Sequence, residues 1–223
     1  MSATTSPAPV EIALGALYLT QILVPYDEAV RTLRIRDSYD WHQRVWQAFA
    51  GRDGETRDFL IRIDRQDEAF RVLLLSRTPA SRPAWCPTDC FGTKLIPDDY
   101  FAHRHFRFRL LANPTKKIRV DNSDGTRKRN GKRVPLTKRE DLIDWLARKG
   151  VAGGFDIDAE SVRVVPRGRS MFQKDGAQGH HSAVEFQGDL VVTNTALFRN
   201  AIATGIGSAK AFGFGMLVIA PIS

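Results

Sequence analysis

Short blocks of apolar residues recur along this chain, and their spacing switches between the period of a strand and the period of a helix. "GALYLTQILV" (15–24) reads as a strand. "SYDWHQRVWQAFAG" (38–51) has helical spacing: Trp41, Val45 and Ala48 form one apolar stripe, which Trp46 and Phe49 widen, and Gly51 closes it. "RDFLIRID" (57–64) and "AFRVLLLSR" (69–77) predict two strands joined by "RQDE". The Pro-rich stretch "TPASRPAWCPTDC" (78–90) marks a boundary.

The order then recurs. "FRFRLLA" (106–112) is a strand, and "TKREDLIDWLARKG" (137–150) is a helix on which Thr137 and Glu140 have the spacing of a capping box. "ESVRVVPRGRSMF" (160–172) and "HHSAVEFQGDLVVT" (180–193) are strands, "NTALFRNAIATG" (194–205) is a helix capped by Asn194, and "FGMLVIAP" (214–221) is the last strand. Strand, helix, strand, strand, twice over, predicts an α+β fold of two tandem ferredoxin-like (RRM-like) domains with antiparallel sheets. No internal sequence repeat accompanies this, so the duplication rests on element order.

Composition excludes several classes. With 223 residues and 43% hydrophobic content the chain is globular, and no run of about 18 apolar residues would span a membrane. "MSATTSPAPVE" lacks a basic segment followed by an apolar one, so no secretory signal is visible. Cys86 and Cys90 make no disulfide framework, and a reducing, cytoplasmic location is the simplest reading. They are expected to fill a small core beside Trp85 rather than bind metal, because a second pair of thiolates is absent. His103, His105, His180 and His181 are weak metal candidates for the same reason.

Charge changes the picture. The net charge is +8, yet residues 1–100 hold 12 basic and 14 acidic side chains, leaving 21 and 11 for the rest. Residues 116–139, "KKIRVDNSDGTRKRNGKRVPLTKR", carry ten basic and two acidic side chains, equal to the whole excess. Clustered Lys and Arg gain by releasing counterions from a polyanion. The segment also has hairpin chemistry: Pro114 ends a strand, "SDG" and "NG" are turn signals, and "KRVPL" resumes an extended path. A basic ribbon is therefore predicted, with Lys116, Lys117, Arg119, Arg127, Lys128, Arg129, Lys132 and Arg133 as phosphate contacts; a solvated loop is the plainer alternative.

The first predicted helix holds the catalytic candidates. Tyr39 and His42, three residues apart, share a face, and histidine is the usual proton carrier at neutral pH. From the residues alone, His42 is equally a histidine packed against aromatics. Near the C-terminus, "GIGSAKAFGFGML" (205–217) places Gly205, Gly207, Gly213 and Gly215 around Lys210. It fits neither a dinucleotide fingerprint nor a nucleotidase phosphate loop. Open amides with Lys210 as a mobile charge would suit an oxyanion; a plain connector is the alternative. No carboxylate cluster for metal-assisted hydrolysis is evident, which argues against a metal-dependent nuclease.

"YDWH" opening a helix, "RLLANPTK" before a basic insert and "KRVPL", and "GIGSAKAFGFGML" together resemble the CRISPR repeat endoribonucleases, and within them the CasE family of type I-E Cascade subunits. The resemblance covers nearly the whole chain from Leu17, which makes residues 1–16 an extra leader. It implies an N-terminal domain (17–98) with the catalytic helix and a C-terminal domain (99–223) with the basic hairpin and glycine-rich loop. It further implies cleavage of the repeat transcript without a metal or other cofactor, and retention of the cut CRISPR RNA stem-loop beside other Cascade subunits. Tyr39 and His42 match the family's active-site pair. Some members carry a lysine further along this helix; Arg44 and Gln47 stand in that stretch here. Arg167, Arg169 and Lys174 in "RGRSMFQKDG" are added as phosphate contacts. A non-cleaving RNA-hairpin-binding subunit is the alternative reading.

Overall fold

The structure, a computed structural model, describes residues 15–52, 55–119, 131–174 and 177–222. Four strands, β1 (Leu17–Pro25), β2 (Leu60–Gln66), β3 (Ala69–Ser76) and β4 (Phe91–Ile96), form an antiparallel sheet in the order β2-β3-β1-β4. Alternation assigns its faces. Ile22, Val24, Ile61, Val72 and Leu74 point to one side, where Trp41 and Val45 of α1 (Ser38–Val45) close a core with Phe49. Cys86 is buried in that core, with Cys90 and Trp85 packed against it, as expected.

The opposite face carries Leu17, Leu60, Leu73 and Leu75, and these join the core of a second sheet. The face that a lone RRM-like unit leaves open is thus covered by its neighbour. The second sheet runs β11-β5-β10-β8, with β9 paired to β10, all antiparallel. Its strands are β5 (His105–Ala112), β8 (Phe155–Ile157), β9 (Arg163–Lys174), β10 (Ala177–Val192) and β11 (Leu217–Pro221). Two helices, α2 (Arg139–Ala152) and α3 (Thr195–Thr204), belong to this unit. Between β5 and α2, strands β6 (Thr115–Ile118) and β7 (Lys132–Pro135) pair as a separate ribbon. The fold is therefore two ferredoxin-like units.

Local differences from the sequence expectation have physical causes. The Pro-rich stretch leads into β4, an unassigned strand that pairs with β1 and completes the first sheet. Pro79, Pro83 and Pro87 leave only a 3₁₀ turn at Thr88–Cys90 where a ferredoxin-like unit has its second helix. The first helix ends at Val45 and tightens into a 3₁₀ turn at Trp46–Ala48. Thr137 does not cap α2: the helix starts at Arg139, and Lys138 occupies the cap position without a side-chain bond. Buried Leu136 donates its N–H to Pro114 at 3.0 Å and holds the chain extended past the expected start. Asn194 does cap α3, accepting from Leu197 N at 3.0 Å.

The two units are joined by buried charge. Arg62 of β2 and Glu185 of β10 are each 2% exposed and meet at 2.8 Å. Arg62 also grips Asp64, and Arg109 of β5 reaches Glu185 at 2.7 Å. Arg167 of β9 binds the second carboxylate oxygen of Glu185. Burial pushes the Glu185 carboxyl up, but hydrogen bonds from Arg167, Arg62 and Arg109 outweigh it and hold the pKa at about 2.

Because the folded pKa lies below the ordinary 4.5, this stabilisation is complete above pH 4.5 and fades as pH falls towards 2. Glu185→Ala, which removes the carboxylate shared by Arg62, Arg109 and Arg167 and leaves Arg62 only Asp64, is expected to lose about 2–4 kcal/mol in denaturant unfolding at pH 7. It should also flatten the acid limb of the stability profile; an unchanged acid limb would remove Glu185 from this role.

Candidate active site

α1 starts where Asp37 leaves the helical conformation. One carboxylate oxygen of Asp37 accepts the N–H groups of Tyr39 and Asp40 at 2.8 and 3.0 Å. The other accepts the backbone N–H of Gln173 in β9 at 3.0 Å. A single side chain therefore caps the helix and ties it to the second unit. The sequence signal was available, an Asp immediately before the periodic run, although only Thr137 and Asn194 are expected as caps.

Tyr39 and His42 do share a face: their rings lie 6.4 Å apart, and both residues are half-buried. The indole N–H of Trp46 donates to His42 Nε2 at 3.3 Å. That bond makes Nε2 an acceptor and places the neutral ring's proton on Nδ1. The aromatic neighbour expected of His42 is therefore present.

α1 packs against β9 and against the 3₁₀ turn Lys210–Phe212, so the glycine-rich stretch does meet the Tyr39–His42 helix. All four glycines have positive φ: 75° at Gly205, 84° at Gly207, 88° at Gly213 and 87° at Gly215. Internal packing accounts for three of them. A Cβ would sit 2.9 Å from Leu60 at Gly205, 3.1 Å from Trp145 at Gly207 and 2.7 Å from the Ile206 carbonyl at Gly215. At Gly213 the nearest atom would be 3.7 Å away, on Ile63. The expectation of open amides is corrected at two of them, because Gly205 N–H donates to Ala201 and Gly215 N–H to Leu111, each at 2.8 Å.

Lys210 is not the mobile charge expected. Its ammonium donates to the Thr204 carbonyl at the end of α3 at 2.7 Å, and Arg57 binds its carbonyl at 3.0 Å. Burial lowers the Lys210 pKa first, and the nearby cations Arg57 and Lys149 lower it further. An anion placed beside these three cations would relieve their repulsion. Arg57 had no sequence signal of its own.

The loop's far side is clamped by His181 of β10. Its ring stacks on Phe172 at 4.8 Å and meets Phe212 and Phe214 at 4.9 and 5.7 Å. Its Nδ1 lies 3.2 Å from the Asn113 amide, and burial lowers its pKa. Residues this distant in sequence left no pattern to read.

Between the units lies a cleft of about 720 Å³. Asp37, the cap of α1, and Trp41 within it line one side, Gly213 another, and Arg62, Arg109, Arg167 and Glu185 are among its charged residues. Arg167, expected as a phosphate contact, is half exposed but already bound to Glu185. Arg169 is exposed; the side chain of Lys174 lies outside the described set.

The ribbon holds the remaining cations. Lys116, Lys117 and Arg119 on one side, and Lys132 and Arg133 on the other, are all exposed, and among the described residues none pairs with a carboxylate. Lys117 stands directly opposite Arg133, a like-charge pair that weakens the ribbon unless an anion lies over it. Arg127, Lys128 and Arg129 lie outside the described residues.

Together these features define a protein of two ferredoxin-like units with a Tyr–His helix at their junction and a cationic ribbon beside them. The sequence profile of the CRISPR associated protein family matches residues 17–221, and the chain belongs to that family. It is 34% identical over 195 residues to the CRISPR system Cascade subunit CasE of Escherichia coli K12, covering 84% of this chain and 94% of that protein. It is 27% identical over 222 residues to the CRISPR-associated endoribonuclease Cse3 of Thermus thermophilus, covering 92% and 100%. The structure of Thermus thermophilus Cse3 bound to an RNA representing a pre-cleavage complex superposes with a TM-score of 0.70 at 26% identity, over 92% of this chain and 100% of that one.

The glycine geometry separates two substitutions. Gly213→Ala and Gly215→Ala both place a side chain at positive φ, which costs about 1–2 kcal/mol. Only the second also drives a Cβ into the Ile206 carbonyl. Gly215→Ala is therefore expected to melt several degrees below Gly213→Ala; equal melting temperatures would contradict this packing.

Proposed function

We propose that this chain is a metal-independent endoribonuclease that binds the stem-loop of CRISPR repeat RNA, cuts the precursor transcript, and stays on the mature RNA as a Cascade subunit. The observation that carries the reading is the placement of Tyr39 and His42, rings 6.4 Å apart, on a helix lodged against the glycine-rich turn. The relatives' names, a Cascade subunit and an endoribonuclease solved with RNA, support it. Two separate sheets support the division into 17–98 and 99–223. A cytoplasmic location fits the two free cysteines.

RNA supplies its own nucleophile. The 2′-oxygen forms a bond to the adjacent phosphorus while the bond to the 5′-oxygen breaks, leaving a 2′,3′-cyclic phosphate and a 5′-hydroxyl. One proton leaves the 2′-hydroxyl and one reaches the 5′-oxygen. His42 carries one of these transfers, and Tyr39 holds the ribose or the phosphate. Lys210, with Arg57 and Lys149 near it, supplies charge for the developing phosphorane, along with the amides near Gly207 and Gly213. The ribbon and Arg169 hold stem phosphates, with Arg127, Lys128, Arg129 and Lys174 in the same role by sequence. The Trp46–His42 bond favours one other reading, a hairpin-binding subunit that does not cut.

His42→Ala decides between them. It is expected to slow cleavage in EDTA by about 10²–10⁴-fold with hairpin affinity retained, since a proton-transfer group acts mainly in the transition state. A 2′-deoxy nucleotide before the cut should also stop cleavage. Full activity in the alanine variant would move catalysis elsewhere.

For the ribbon, Lys117→Ala with Arg133→Ala should reduce hairpin affinity and lower the salt slope by roughly one unit or less per lost phosphate contact. Thermal stability should hold or rise, because a like-charge pair is removed. An unchanged salt slope would make the ribbon a solvated loop.

A further inference from the structure

The wall of the inter-unit cleft formed by the segment after β1 and the β2–β3 hairpin carries features that cleavage leaves unused. Tyr26 and Val30 line it and are 39% and 42% exposed. The Tyr26 ring stacks on Phe70 with centroids 5.7 Å apart, and the Arg65 guanidinium lies 4.7 Å from the Tyr26 centroid. Arg36, Arg62, Arg71, Arg109 and Arg167 each pair with a carboxylate. Arg65 is the sixth arginine of the cleft, and among the described residues no carboxylate pairs with it. Against those six arginines stand four carboxylates, Asp37, Asp64 and Glu185 in the cleft and Asp40 on Arg36, a balance of +2.

An exposed aromatic, an apolar neighbour and an unneutralised guanidinium suit one class of ligand. An unpaired nucleotide offers a base face for ring and guanidinium, and a phosphate for the charge. A base inside a stem has both faces stacked and offers neither. We infer that Tyr26, Val30 and Arg65 form a subsite for unpaired RNA next to the stem-loop. This rests on the ribonuclease reading and extends it from the stem to the flanking transcript.

The test measures equilibrium binding of the full chain to three RNAs: the bare repeat hairpin, and the hairpin with a short unpaired flank on its 5′ or its 3′ side. One flank is expected to tighten binding by about tenfold. Tyr26→Ala and Arg65→Ala should each remove most of that gain and leave bare-hairpin affinity unchanged. Arg65 is exposed, so its variant remains informative should Tyr26→Ala fail to fold. No tightening by either flank, or a gain that survives both substitutions, overturns the subsite. Failure to bind any hairpin would instead break the ribonuclease reading, and an unpaired oligonucleotide alone would then report on Tyr26 and Arg65.

Discussion

The junction of the two units rests on a carboxylate that three arginines surround. Glu185 is out of water, and Arg62 reaches it from the other sheet. A lone buried charge would be severely destabilising; a paired one holds the two sheets at a fixed distance and angle. Leu17, Leu60, Leu73 and Leu75 press the first sheet onto the core of the second, but hydrophobic burial has no direction of its own. Charge pairing between β2 and β10 supplies that direction. The Tyr39–His42 helix belongs to one unit and the glycine-rich turn to the other, so the site exists only while the junction holds.

The same logic operates at smaller scale around α1. Asp37 divides its carboxylate between the helix's own amides and the backbone N–H of Gln173 in β9. Trp46 fixes the His42 ring from one turn further on. On the other side, Arg57 grips the Lys210 carbonyl, and the aromatic packing of His181 holds Phe212 and Phe214. On the proposed reading His42 moves a proton at a phosphate, which demands placement to within a fraction of an ångström, and these contacts restrict its position.

Cations divide into two populations with different work. Those in the cleft floor are matched by carboxylates and hold the fold. Those on the ribbon, together with Arg65, lack such partners among the described residues and raise the local potential instead. Their uncompensated charge carries a stability cost that a polyanion would reverse on binding.

The sequence by itself determined the periodic elements, the basic ribbon and the Tyr39–His42 pairing, because each depends on residues a few positions apart. Helical spacing puts Tyr39 beside His42 whatever surrounds them, and ten cations in one segment are plain without coordinates. Short-range pattern failed where a distant partner intervened. Thr137 lost its cap to a strand pinned at Pro114, and β4 required β1 beside it to become a strand. The glycines followed the same rule: their positive φ suited a tight turn, but Leu60, Trp145 and Ile206 gave three of them their packing reason. Along the sequence Arg62 and Glu185 are single charges within apolar strands, and Arg167 is expected as a phosphate contact. Tertiary structure alone decided that these three meet, because a charge is stabilised or stranded by whatever the fold brings within about 4 Å of it, at any distance along the chain.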